Sequence, residues 1–320
     1  MTDIATPRPP DLPASPWRRI FLGPQGLRAG WSLLIFVLLV ELPGALGEWA
    51  LQHSGAAVPD HPAWTPGLIL TWKVLSFLLV LVAIALMGWI EGRTLATYGF
   101  PLREAFRRKF WEGSLWGILS ISAVIGMMTL AGGYSVSGLA IHSGEVVRQA
   151  VLWALATLMV GLHEENYFRG FPLFTLSRGM GFWAGAVLLS AVFGAVHYFL
   201  KPRETWMDLL SVTLIGLFFC LTVRRTGSVW WAVGWHFTYN FGSLFIFSGP
   251  NTGNDGNPLP GHLLASTFHG PDWLTGGPMG PEASVFIFPV IAVLFWAFHR
   301  RYPEVRFRPA SPGDASRRRG

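Results

Sequence analysis

The sequence predicts an all-α protein: a polytopic membrane helical bundle of about eight transmembrane helices, with both termini cytoplasmic. Three observations predict it. Of 320 residues, 51% are hydrophobic and only 13% charged, about half the charge of a soluble domain. The apolar residues come in continuous runs rather than strict alternation, which argues against a membrane β-barrel. Lysines and arginines gather on alternate flanks of those runs, the mark of a chain whose basic loops stay on the cytoplasmic side.

Crossing about 30 Å of hydrocarbon takes ~20 apolar residues as a helix. Runs of that kind lie near 30–48, 68–90, 114–133, 149–177, 182–199, 206–224, 228–247 and 283–299. The fourth is the least regular, because it holds Glu164, Glu165 and Arg169. Residues 1–28 form a Pro/Arg-rich cytoplasmic lead without an apolar core, so no cleavable signal peptide is expected there. Residues 29–299 form a single membrane domain, and 300–320 a basic cytoplasmic tail. Between the second and third runs, Arg103 to Glu112 reads as a short basic amphipathic helix on the inner surface. Residues 248–282 form an outer loop without lysine or arginine, long for a segment without periodicity. Its histidines, His262 and His269, are expected to be solvated.

The net charge of +6 is topological rather than a nucleic-acid footprint. Of the 24 lysines and arginines, 20 fall on one set of flanks. The opposite flanks hold Arg148, Lys201 and Arg203, and Lys73 lies inside the second run. Cys220 is the only cysteine, so no intrachain disulfide can form. Glu41 and Lys73 lie at similar depth in neighbouring antiparallel spans, and a structural ion pair between them is expected.

Charged groups in hydrocarbon are costly, ~2.5–3.5 kcal/mol for an acid at a helix centre on insertion scales. Three polar groupings nevertheless occur inside the spans, each at helical spacing: Glu164-Glu165 with Arg169, Phe193 with His197, and His236 with Asn240. Glu165 and Arg169 share a helix face and can pair, while Glu164 is rotated by about 100° and can face a cavity. Counting from the arginine-rich helix ends, Glu164, His197 and Asn240 lie about 20, 22 and 18 Å deep. That common level predicts a polar cavity, expected to open toward the cytoplasm.

The set suffices for peptide hydrolysis. Glu164 can serve as general base on a water, and His197 can hold that water and pass a proton to the leaving amine. His236 and Asn240 can donate to a tetrahedral oxyanion. Alternatively, Glu164, His197 and His236 could ligate zinc, with water in a fourth position. No HExxH, GxSG or GxGD motif occurs. Buried acids and histidines also mark ion paths, so a transporter is a competing reading, as is a non-catalytic immunity or scaffold protein.

The motifs resemble those of the CPBP family, the CAAX proteases and bacteriocin-processing enzymes. Glu164-Glu165-Asn-Tyr-Phe-Arg169 is similar to its EExxxR signature, Phe193-Gly-Ala-Val-His197 to FxxxH, and His236-Phe-Thr-Tyr-Asn240 to HxxxN. The family-like core covers about 114–250. The resemblance implies an all-helical intramembrane endopeptidase. Glu164 and His197 then activate water, His236 and Asn240 form the oxyanion site, and Glu165, Arg169 and Phe193 give support. It is compatible with a metal-free glutamate mechanism, the favoured reading, in which no cofactor is required; zinc is the alternative. The expected partners are a peptide or membrane-protein substrate and the lipid bilayer, with no nucleic acid. The expected location is the bacterial cytoplasmic (inner) membrane. The eukaryotic members trim prenylated CAAX proteins, but nothing in this sequence implies a prenylated substrate.

Overall fold

The computed structural model describes residues 20–23, 26–54, 64–201, 203 and 205–307. Most of the expected N-terminal lead and of the basic tail therefore lies outside the described residues. Among the described residues, nine helices of ten residues or more organise the bundle around the site: α1 (Ala29–His53), α2 (Pro66–Glu91), α3 (Arg108–Leu130), α4 (Gly144–Phe168), α5 (Phe171–Met180), α6 (Phe182–Leu200), α7 (Trp206–Thr226), α8 (Trp230–Asn240) and α9 (Ile287–Arg301). A six-residue π-helix, Phe241–Ile246, continues α8. Helix ends follow local chemistry. Thr65 caps α2 by accepting from the Leu68 N–H at 3.2 Å, and Pro66 opens the helix where no donor is needed. Thr205 caps α7 in the same way, and Gly227, at φ +69°, ends it.

Among the described residues, six helical segments are long and apolar enough to cross a membrane, with the α4–α5 stretch Gly144–Met180 counting as one. The last two expected spans are shorter: α8 has 11 residues before its π-helical extension and α9 has 15. The fourth expected span, 149–177, is not one straight helix. It breaks at Arg169–Gly170, where both N–H groups return to the Glu165 carbonyl at 2.8 and 2.9 Å. Pro172, in the first turn of α5, lacks the donor that would continue α4.

One end of the bundle gathers the arginine-rich flanks. There Arg178 reaches Glu91 at 2.9 Å, Lys109 donates to the Thr226 carbonyl at 3.1 Å, and Arg301 reaches Glu112 at 3.1 Å. Ser32, near the start of α1, donates to Glu91 at 2.8 Å. No separate amphipathic helix forms over Arg103–Glu112. Leu102–Glu104 is a single 3-10 turn, and Arg108 already opens α3.

The other end combines the segment expected as an outer loop, 248–282, with the stretch that follows α3. Strand β1 (Tyr134–Leu139) pairs antiparallel with β2 (Leu264–Phe268), Tyr134 opposite Phe268 and Leu139 opposite Leu264, with an irregularity between Val136 and Gly138. Tyr134 also donates to the Phe247 carbonyl at 3.3 Å. Of the two histidines expected to be solvated, His269 is exposed, with Nε2 2.8 Å from Ser135 Oγ, while His262 is half-buried, with Nδ1 2.7 Å from the Leu259 carbonyl.

Two buried clusters hold the bundle. One joins Phe36, Phe77, Ile84 and Phe171 across α1, α2 and α5; the other joins Ile121, Phe218, Trp235 and Leu294 across α3, α7, α8 and α9. The outer surfaces stay apolar, with Leu38, Val82 and Leu188 exposed as a lipid-facing shell requires. The closest helix pair is α3 against α8. A Cβ on Gly113 would meet the Trp231 carbonyl, and one on Gly234 would meet the Phe110 carbonyl, so the two backbones touch through glycines on both helices. Small residues that admit such contact are the usual basis of helix association in lipid. Gly234→Val is accordingly expected to lower thermal stability, by about 1–3 kcal/mol from overpacking alone. Melting of the purified protein in detergent checks this, and an unchanged midpoint would refute the close contact.

Candidate active site

The site lies where α2, α4, α6 and α8 face one cavity of about 430 Å³, whose walls also include α7 and Pro250–Gly253. Each motif contributes through helical geometry. In α4, Glu164 and Glu165 precede the break at Gly170, and successive helical positions send them apart. Glu165 turns into protein: it and Arg169 are both fully buried, and their ion pair spans 3.4 Å. Glu164 turns into the cavity.

His236 of α8 sits between the two carboxylates. Its Nδ1 lies 2.9 Å from Glu165 Oε1, and its Nε2 lies 3.8 Å from Glu164 Oε2. Only a ring N–H can bond a carboxylate there, so Nδ1 carries a proton and Nε2 faces Glu164. Asn240, one turn further along α8, lines the same cavity. In α6, His197 Nδ1 lies 2.9 Å from the Phe193 carbonyl. A carbonyl only accepts, so Nδ1 is the protonated nitrogen and Nε2 is left for the cavity. The Phe193 ring meets His197 edge-on at 4.5 Å and holds the Arg169 guanidinium over its face at 4.1 Å. The pair Phe193 and His197 thus does two tasks: the backbone fixes the ring tautomer, and the aromatic side chain joins His197 to the Glu165–Arg169 pair.

The expected Glu41–Lys73 pair does not form. Lys73 of α2 enters the site, donating to Glu164 Oε1 at 2.8 Å, with His163 Nδ1 3.5 Å away. Glu41 instead accepts from the Tyr167 hydroxyl at 2.6 Å. Two acids competed for one lysine, and the buried one in the cavity has it. The result is an alternating chain of charges, Lys73–Glu164–His236–Glu165–Arg169, carried by three helices.

The direction of the opening also differs from expectation. The cavity reaches Lys201 at the end of α6, Pro250–Gly253 and Glu282, all at the bundle end that carries the β1–β2 sheet. It does not open at the arginine-rich end. A depth of about 20 Å from one face of a ~30 Å core leaves only ~10 Å to the other face, so the counted depths themselves favour this side.

Residues 146–242 match the family model described as type II CAAX prenyl endopeptidase, Rce1-like. This segment is a domain of the CAAX-protease family. No curated protein matches the chain. The matched domain runs from the first turn of α4 to the start of the π-helix and holds all three motifs. It is shorter than the expected core of 114–250. It supports a protease acting on peptide substrates in a lipid environment. Lys73, Glu282 and the loop at the cavity mouth come from outside it.

Glu164, His197 and His236, the set that the zinc alternative would use, all line this cavity. Among the described residues, no three His, Cys, Asp or Glu side chains gather as a set able to hold a metal ion. One oxygen of Glu164 is taken by the Lys73 ammonium, a cation where the metal would stand.

Sequence reasoning missed Glu282, because its segment reads as a loop. It lines the cavity, and its backbone carbonyl accepts from Ser211 Oγ at 2.6 Å. Burial pushes its carboxyl up to about 7, and the Asp208 carboxylate adds to the effect. In the folded protein it therefore holds a proton that the unfolded chain releases at lower pH. Stability from this group is complete below the usual carboxylate range and falls as pH rises through about 7. The melting temperature is expected to drop between pH 5 and 8, and Glu282→Gln to flatten the drop; a wild-type profile unchanged by that substitution would remove the assignment.

Proposed function

We propose that the chain is an intramembrane endopeptidase that hydrolyses a peptide bond of a membrane-associated or peptide substrate with a water activated by Glu164 and His197. The observation that carries this reading is the convergence of Glu164, His197, His236 and Asn240, from three helices, on one cavity. Glu164 Oε2, the oxygen not engaged by Lys73, takes a proton from the water as the water oxygen adds to the carbonyl carbon. His197 holds the same water by accepting from it at Nε2, and Nε2 then takes the proton from Glu164 and passes it to the amine nitrogen as the C–N bond breaks. The tetrahedral oxyanion is bound by the Asn240 amide and by His236 Nε2. Nε2 donates to the oxyanion when the His236 ring carries both protons. Lys73 holds the Glu164 carboxylate in place, while Glu165, Arg169 and Phe193 act through the histidines as positioning residues. Every step is met by side chains of the chain, without a metal. With the arginine-rich flanks inside, substrate reaches the cavity from the outer side of a bacterial cytoplasmic membrane.

The test offers purified protein in detergent a quenched library of membrane-proximal peptides. Cleavage lost on His197→Ala supports the reading. Failure of the wild type to cleave any member, together with ion movement in liposomes, would transfer the site to a transporter.

A further inference from the structure

A second cavity, of about 420 Å³, opens at the arginine-rich end of the bundle, far from the candidate catalytic groups. Its walls come from the start of α3, the end of α7 and the end of α9. They carry Arg107, Arg108, Lys109, Arg225, Arg301 and Arg306. The nearby acids do not balance these charges. Lys109 pairs with Glu104 at 2.7 Å, and Arg306 with Glu304 at 3.8 Å. Glu112 is shared by Arg108 at 3.6 Å and Arg301 at 3.1 Å. Among the described residues, Arg225 meets only neutral acceptors, the Pro303 carbonyl and His299 Nδ1. Among the described residues, Arg107 forms no ion pair. Among the described residues, six cations thus face three carboxylates.

So much uncompensated charge in one cleft repels itself unless an anion enters. The cleft lies where three helices end, which is the depth of lipid headgroups. Trp111, 60% exposed on the first turn of α3, and Phe106, 47% exposed just before it, adjoin the cleft residues Arg107 and Arg108 along the chain. Exposed aromatic side chains at a helix end are interfacial anchors, and they offer acyl chains an apolar surface.

We infer that this cleft binds the phosphate of an anionic phospholipid headgroup, with the lipid's acyl chains lying along the exposed face of α3. The guanidinium groups of Arg107 and Arg225 supply the donors that acids do not already occupy. The site is independent of the peptidase reading.

The test uses the full chain in mixed micelles of phosphatidylglycerol and phosphatidylcholine, with retained lipid counted by native mass spectrometry. The wild type is expected to retain phosphatidylglycerol in preference. Each of Arg107→Gln and Arg225→Gln is expected to reduce that retention about fivefold, the worth of one interfacial charge. Arg148→Gln, on the opposite end, leaves it unchanged. Because Arg225 also holds the chain after α9, Arg107→Gln carries the test if Arg225→Gln fails to fold. Equal retention of the two lipids, or an equal loss with Arg148→Gln, overturns the inference. Displacement of the bound lipid by millimolar inorganic phosphate would overturn the lipid assignment in favour of a soluble phosphate ligand.

Discussion

Glu164→Gln is expected to lower kcat by about 10²–10⁴, the usual worth of a positioned general base, while the protein still folds. The amide keeps an acceptor for Lys73, which lies 2.8 Å away, and it keeps nearly the same volume, so neither packing nor a buried ammonium is abandoned. What it loses is the ability to take a proton from water. The adjacent carboxylate gives the contrast. Glu165 is fully buried between Arg169 and His236, so Glu165→Ala and Arg169→Ala each leave a buried charge alone. Breaking a buried pair in this way costs about 3–5 kcal/mol. Those two variants are expected to fail mainly in thermal stability, and Glu164→Gln mainly in turnover. Peptide cleavage and melting measured on the same preparations separate the two outcomes. If Glu164→Gln cleaves at the wild-type rate, Glu164 is not the base.

The helical membrane fold was legible because its signals are local. Hydropathy and the placement of arginines need no knowledge of which helix touches which. The Glu165–Arg169 pair was legible for the same reason, since four residues within one helix fix a shared face. The break at Gly170 had a signal in Pro172, which a span drawn from hydropathy alone passes over. The partner of Lys73 was different. Glu41, on the neighbouring span, was the nearer choice in sequence, and only the packing of α2 against α4 brings Lys73 to Glu164. A depth count could have raised the possibility. Lys73 lies seven residues into α2 from the sheet-bearing end, about 10 Å, which is the level reached by Glu164 when counted from the other end. Glu282 and the folded outer segment left no periodic trace, because their order depends on the distant pairing of β1 with β2.

Lys73→Met is expected to cost both stability and turnover, in a way that Lys73→Arg largely restores. Removing the ammonium breaks the 2.8 Å hydrogen bond to Glu164 Oε1, and His236 Nε2 lies 3.8 Å from Oε2. That distance is too long for a hydrogen bond. The free carboxylate can then rotate, and Oε2 is no longer held toward the water. Turnover should fall while KM stays near the wild-type value, because Lys73 fixes the base rather than the substrate. The stability cycle tests the pairing without reference to activity. With Lys73→Met, Glu164→Gln and the double variant melted side by side, the double is expected to lose less than the two singles together. Groups in direct contact typically couple by about 0.5–3 kcal/mol. Additive losses would show that Lys73 and Glu164 are not paired. Coupled losses with kcat unchanged in Lys73→Met would keep the pair as a structural one and end its part in catalysis. A rescue by Arg that restores kcat as well as stability would assign to α2, which lies outside the CAAX-protease domain, a residue that sets the geometry of that domain's base.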